Sequence, residues 1–267
     1  MNILDKIVAD KLQEIEKAKD YNTIKSLEKS IFYHSPVVSL SKYLKRKDKV
    51  GVIAEIKRSS PSNKSFIKDI DVEHLSIAYM QSGASALSIL TDKNFFEGAV
   101  QDLEIARKFN YCPILRKDFV LDEYQVIESK SIGADCILLI AACLTPQRAQ
   151  KLAALAKSIG LEVLLEVHNK EEIETHINGD IDLIGVNNRD LKTFKTSIDK
   201  SLELYEYLPD RLVKISESGI SNGEDIKTLK EAGYNGFLIG THFMKSSYPA
   251  KVCKEIIAHY NYISHEN

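Results

Sequence analysis

From residue 50 to residue 240, short apolar runs alternate with longer stretches in which apolar residues recur every three or four positions. The short runs are 50–57, 86–90, 112–117, 135–141, 161–167, 181–187, 211–217 and 235–240. They are rich in Val, Ile and Leu and read as buried strands. The longer stretches, such as 72–82, 121–131, 146–158 and 222–232, read as amphipathic helices. Pro146 behind Thr145 is the pairing expected of a first helical residue and its cap. Four helices run into a glycine just before the next strand, at Gly83, Gly133, Gly160 and Gly233. Glycine supplies the left-handed residue that stops a helix. The repeating unit is therefore helix, glycine stop, strand. Eight such strands predict a parallel (β/α)8 (TIM) barrel. The alternative is a doubly wound open sheet, but no Gly-x-Gly-x-x-Gly turn follows any strand, which favours the barrel.

The first 48 residues follow a different rule. Ile3, Leu4, Ile7, Val8, Leu12 and Ile15 recur at helical spacing. A second short helix is expected over 21–30, a break at His34-Ser35-Pro36, and a third helix over 40–44. These few apolar positions make too thin a core to stand alone. Residues 1–48 are therefore expected to be an N-terminal helical cap, and residues 1–267 a single barrel domain.

Composition narrows the class. A chain of 267 residues, 44% hydrophobic and 28% charged, is ordinary for a soluble globular protein. The net charge of -2 offers no basic field for nucleic acid, and no apolar run reaches the length of a membrane span. The opening Met1-Asn2-Ile3-Leu4-Asp5-Lys6 carries an acid early and does not read as a secretory signal. Cys112, Cys136, Cys143 and Cys253 form no Cys-x-x-Cys pair and are read as reduced thiols of a cytoplasmic protein. His168 and His176 lie in a polar segment and are expected to be solvated rather than metal ligands.

Chemistry in such barrels sits at the C-terminal ends of the strands. Those ends carry Glu55 and Lys57, then Arg116, Lys117 and Asp118, then Glu166, then Asn187 and Arg189, then Glu217. Arg116 and Asp118 taken singly are read as ion pairs closing the barrel top. Residues two apart on a strand share a face, so Glu55 and Lys57 point the same way. Burying such charges is costly without partners. Glu55, Lys57, Lys117 and Glu166 together point to a charged ligand. Ser218-Gly219 and Gly240-Thr241 are short turns on adjacent strands whose backbone can approach a phosphate, with Ser60 nearby once the ring closes. Phe96 and Phe119 are candidate walls for a flat ring.

Several motifs lie in matching order with one family. They are Glu55-Ile56-Lys57-Arg58 with Ser60-Pro61-Ser62; Leu90-Thr91-Asp92 with Phe95-Phe96-Glu97-Gly98; and Pro113-Ile114-Leu115-Arg116-Lys117-Asp118-Phe119. Leu164-Leu165-Glu166-Val167-His168, Gly185-Val186-Asn187-Asn188-Arg189-Asp190-Leu191, Glu217-Ser218-Gly219-Ile220 and Leu238-Ile239-Gly240 continue the series. The chain resembles indole-3-glycerol-phosphate synthases over nearly its whole length. The resemblance implies a lyase of tryptophan biosynthesis. Its substrate would be 1-(2-carboxyphenylamino)-1-deoxyribulose 5-phosphate, closed to indole-3-glycerol phosphate with loss of carbon dioxide and water. It implies no metal and no organic cofactor. The family's general acid falls on Lys117 and its base on Glu166. Lys57 would hold the substrate carboxylate, Glu55 and Asn187 the sugar hydroxyls and developing charges, and Arg189 the anionic end. Ser60, Ser218, Gly219, Gly240 and Thr241 would cradle the phosphate. Phe96, Phe119 and Leu138 would line the ring pocket, with Glu217 and Leu238 also at the substrate. A phosphorylated small molecule is the expected partner, with no nucleic acid or membrane, and a monomer is expected. His242 departs from the family pattern and is expected at the loop surface. A phosphoribosylanthranilate isomerase, expected to use Cys and Asp, and a non-catalytic phosphate-sugar binding barrel stay open as alternatives.

Overall fold

A computed structural model describes residues 3–61, 66, 69–190 and 193–265; Ser62 and Leu191 of the motifs lie outside the described residues. All eight strands form. They are β1 (Val52–Ile56), β2 (Ala86–Leu90), β3 (Ile114–Lys117), β4 (Cys136–Ile140), β5 (Glu162–Val167), β6 (Leu183–Asn187), β7 (Val213–Glu217) and β8 (Gly236–Ile239). Each pairs in parallel with its sequence neighbours in a closed ring. The ring shuts where β1 meets β8, with Val52, Ile53 and Ala54 opposite Phe237, Leu238 and Ile239. Gly51 enters this seam at φ 101°, and a Cβ there would lie 2.2 Å from the Asn235 carbonyl oxygen. Only glycine fits so close an approach.

The described helices are α1 (Ile3–Tyr21), α2 (Ile24–Leu27), α3 (Leu40–Leu44), α4 (Val72–Gln81), α5 (Val100–Phe109), α6 (Glu123–Ser131), α7 (Pro146–Ser158), α8 (Lys170–His176), α9 (Asp199–Leu204), α10 (Gly223–Ala232), α11 (Thr241–Met244) and α12 (Pro249–His265). The helix expected over 21–30 shortens to α2, with Thr23 as its cap. The glycine stops work as read. The residues after them, Ala84, Ala134, Leu161 and Tyr234, donate back to the carbonyls of Tyr79, Ser129, Ala156 and Leu229 over 3.2, 3.0, 2.9 and 3.0 Å. That is the bond of a Schellman stop.

Alternation along the strands builds two cores. Val52, Ala54 and Ile56 face the helices, whereas Ile53 joins the cluster inside the ring. The inward row of β1 is thus Ile53, Glu55 and Lys57. Leu115 and Lys117 form that row on β3, Leu164 and Glu166 on β5, and Val213, Ile215 and Glu217 on β7. Each row begins aliphatic and ends ionisable. The pleat therefore delivers the charges to one mouth of the ring.

The first helices serve opposite mouths. Leu40 and Leu44 of α3 are buried inside the ring with Ala86, Leu183 and Val213, near the strand starts. Ser39 fixes that plug: its hydroxyl donates to Glu162 over 2.6 Å and accepts from the Lys42 backbone. Ile3, Leu4 and Ile7 of α1 instead line the pocket at the strand ends. No helix among the described residues is long and apolar enough to cross a membrane.

Candidate active site

Every site residue named from the sequence lines one pocket at the C-terminal mouth of the barrel. Lys57 Nζ lies 2.7 Å from Glu55 Oε1. Lys117 Nζ lies 3.0 Å from Glu166 Oε2 and 3.7 Å from Glu217 Oε2. The Asn187 side chain donates to Glu166 and accepts from the Arg189 backbone over 3.0 Å. Two glycines make this crowding possible. A Cβ at Gly185 would sit 2.0 Å from Glu217 Oε1, and one at Gly240 would sit 2.2 Å from Glu55 Oε1. Each glycine leaves the space that a neighbouring carboxylate occupies.

The charges set one another's protonation. Burial works against the Lys117 ammonium, but Glu166, Glu217 and Glu55 outweigh it and hold its pKa above the usual lysine value. Burial would raise the Glu166 carboxyl, yet Lys117 and His168 hold it below its ordinary value. Glu217 goes the other way. Burial raises it, Lys117 offsets only part, and Glu166 and Glu55 push it up further. Of the two glutamates around Lys117, one is thus kept ionised and the other favours its proton. Glu217 Oε1, buried against Gly185, has no hydrogen-bond partner within the protein.

The phosphate turns are held from behind. Ser218 takes φ 69° and Gly219 φ 80°. A left-handed serine is costly. Asn188 holds it there by donating to the Ser218 carbonyl over 2.9 Å and to Ser216 Oγ over 3.0 Å. Asn188 Oδ1 in turn accepts from the backbone and hydroxyl of Ser201 over 3.1 and 2.8 Å. On the opposite side the Phe96 and Phe119 rings face each other at 6.1 Å, tilted by 40°.

Three histidines correct the sequence reading. The His168 side chain is only 7% exposed, with its Nε2 3.5 Å from Glu166 Oε1 and its Nδ1 3.4 Å from Glu172 Oε2. His176 is also buried, its Nε2 2.9 Å from the Leu144 carbonyl. Polar neighbours in sequence concealed both positions: His176 lies on the buried face of α8 with Ile173, and His168, just before α8, turns into the pocket. His242 is not a surface-loop residue; it lies on α11 and lines the pocket, where burial and Lys245 lower its pKa. Arg116 and Asp118 do pair, over 3.2 Å. The four cysteines are free, and none lines the pocket. Among the described residues no group of three or more His, Cys, Asp or Glu is placed to hold a metal ion.

A profile described as indole-3-glycerol phosphate synthase matches residues 4–256. The indole-3-glycerol phosphate synthase of Bacteroides thetaiotaomicron is 44% identical over 256 residues, covering 96% of this chain and 98% of its own. That of Carboxydothermus hydrogenoformans is 40% identical over 263 residues, covering 96% and 99%. Among solved structures, 3-hexulose-6-phosphate synthase from Salmonella typhimurium superposes with TM-score 0.63 at 13% identity, over 79% of this chain and 99% of that one. A chain of the tryptophan synthase a2b2 complex from Pyrococcus furiosus gives TM-score 0.57 at 14% identity, over 80% and 98%. At such identity these two structures speak for the barrel alone.

Proposed function

The chain belongs to the indole-3-glycerol phosphate synthase family, and from that premise we propose how its own side chains divide the work. The reaction is the ring closure of 1-(2-carboxyphenylamino)-1-deoxyribulose 5-phosphate to indole-3-glycerol phosphate, a decarboxylating lyase step of tryptophan biosynthesis.

Lys117 is the general acid. As the ring carbon bearing the carboxylate attacks the ketone, the Lys117 ammonium protonates the developing alkoxide. Carbon dioxide then leaves, and its bonding electrons restore the aromatic ring. The new hydroxyl departs as water with a second proton. Glu166 takes the proton that the five-membered ring sheds to become aromatic. One proton is consumed per turnover. A charged Lys117 and an ionised Glu166 are the states these roles require, and both are the states that their neighbours favour. Lys57 holds the substrate carboxylate until it leaves. Glu55, Asn187 and Glu217 meet the sugar hydroxyls, and Arg189 meets the anionic end. Ser60, Ser218, Gly219, Gly240 and Thr241 receive the phosphate. Phe96, Phe119, Leu138 and Leu238 enclose the aromatic ring.

The observation that carries this assignment is the 3.0 Å contact between Lys117 and Glu166, both on inward rows and both lining the pocket. Replacing Lys117 with methionine is expected to lower kcat by about 10³-fold or more, within the range of acid–base catalysis. Its thermal midpoint should stay near wild type, because Glu217 already favours its proton and Glu166, still bonded by Asn187, rises toward its own proton once Lys117 is gone. Turnover near the wild-type rate in that variant would remove Lys117 from the mechanism. We read the whole chain as one barrel domain with residues 1–48 as its cap, acting as a cytoplasmic monomer. Sedimentation of the purified protein tests the monomer.

A further inference from the structure

A second charged cluster lies outside the reacting centre. Lys11 is 1% exposed, and its Nζ lies 2.8 Å from Glu14, 2.9 Å from Asp92 and 3.0 Å from Asp118. Lys11 donates to Glu14, and Asp92 holds it as an ion pair without hydrogen-bond geometry, so three carboxylates surround one ammonium. Glu14 belongs to the same helix. Asp92 and Asp118 follow β2 and β3.

Each of those two aspartates also fixes a loop that carries a pocket ring. Asp92 Oδ1 accepts from the backbone of Phe95 and Phe96 over 2.9 and 3.2 Å. Asp118 Oδ1 accepts from the backbone of Phe119 over 2.8 Å. Asp118 is also the residue next to Lys117, and its other oxygen takes Thr91 and Arg116 over 2.5 and 3.2 Å. Lys11 thus stands between the two loops whose rings face each other. The helix that carries it also presents Ile3, Leu4 and Ile7 to the same pocket.

We propose that Lys11 is a positioning residue for the ring closure, a buried clasp that sets the Phe96–Phe119 wall and docks α1 over the substrate. The inference rests on the assignment of those rings to the substrate's aromatic ring. A carboxylate freed from Lys11 would turn toward its remaining donors and carry its loop with it. Asp92 would then depend on the Phe95 and Phe96 amides alone. The rings would lose their register without leaving the pocket. That loss weakens substrate binding more than it slows chemistry.

The experiment is steady-state turnover of Lys11→Met, followed by the appearance of indole fluorescence. The readout is clean because the chain contains no tryptophan. KM is expected to rise about tenfold and kcat to fall no more than about threefold, in keeping with the cost of a small misplacement. A merely structural role would lower the folded fraction, which reduces apparent kcat and leaves KM alone. If the single variant does not fold, Lys11→Met/Asp92→Asn restores the charge balance and should show the same rise in KM. Wild-type KM in either folded variant would overturn the clasp. The ring assignment beneath it fails separately, through a wild-type KM in Phe119→Ala.

Discussion

The two mouths of the barrel are closed by opposite means. At the strand starts, Leu40 and Leu44 of α3 fill the ring with aliphatic side chains, and one carboxylate, Glu162, anchors the plug through Ser39 and the Ser41 backbone. At the strand ends, the inward rows finish in Glu55, Lys57, Lys117, Glu166 and Glu217, paired at 2.7 to 3.7 Å. Apolar packing is non-directional and fills whatever space is offered. Charges must be matched in number and geometry, so they hold a cavity open around fixed points. One mouth can be sealed by shape alone. The other must stay open, and does so because its charges satisfy one another there.

The comparison can be broken from either side. The largest effect expected at the closed mouth is from Leu44→Ala, which removes a side chain packed against Gly236 at the start of β8. It should cost about 3 kcal/mol of stability, as large-to-small core changes do. The kcat of the folded fraction should be unchanged. Denaturant unfolding paired with kinetics checks both, and a fall in kcat there would couple the two mouths.

The next effect is electrostatic and opposite in sign at the two ends. Burial would raise the Asp118 carboxyl, but Lys11 and Arg116 hold it at about 2 against an ordinary 3.8. A lowered folded pKa gives stability that is present above the unfolded value and lost as pH falls through the folded one. Asp118→Asn should therefore cost roughly 2 kcal/mol near neutrality, and that cost should shrink as pH falls from about 4 toward about 2. Asp135 sits at the start of β4, where it accepts from Val38 and Ile114 over 2.7 and 2.8 Å. Burial lifts it to about 6, with Arg107 offsetting part. Its contribution is present below the unfolded value and lost as pH rises through about 6. The penalty of Asp135→Asn should thus grow as pH falls. Parallel rather than opposed slopes would contradict the two environments.

The smallest effect tests the glycine spaces. In Gly240→Ala the new methyl meets Glu55 Oε1 at 2.2 Å and Glu55 Cβ at 2.8 Å, so the carboxylate must leave Lys57 and the β1 backbone must give as well. The expected result is about a tenfold loss in kcat/KM, equal to roughly 1.4 kcal/mol, with a stability loss of about 1 kcal/mol from the overpacked strand. An unaltered kcat/KM would show that Glu55 can move without consequence.

The barrel was legible because its signals are local. A glycine stop needs only its own helix end, and the pleat tells which residues share a face. Glu55, Lys57, Lys117 and Glu166 could be read together because each lies at the end of a strand of one ring. The cluster around Lys11 was not legible. Its partners Asp92 and Asp118 come from the ends of two different strands, and a lysine on an amphipathic helix reads as solvated until its docking face is known. Helix α5 carries no start signal of its own, because Ala99 offers no side-chain cap. Helices α9 and α11 are too short to show a period. His168 was misread because burial there comes from tertiary packing, not from polar neighbours in sequence.

The seam between β1 and β8 has a consequence for biosynthesis. β1 begins at Val52 and its second partner only at Gly236. At ribosomal speeds of about 5–20 residues per second, the outer edge of β1 waits on the order of ten seconds or more for that partner to emerge. An unpaired apolar strand edge invites pairing with a neighbouring chain. The nascent protein is thus most exposed to aggregation before its last strand leaves the ribosome, and truncation upstream of β8 should yield inclusion bodies rather than a smaller folded barrel.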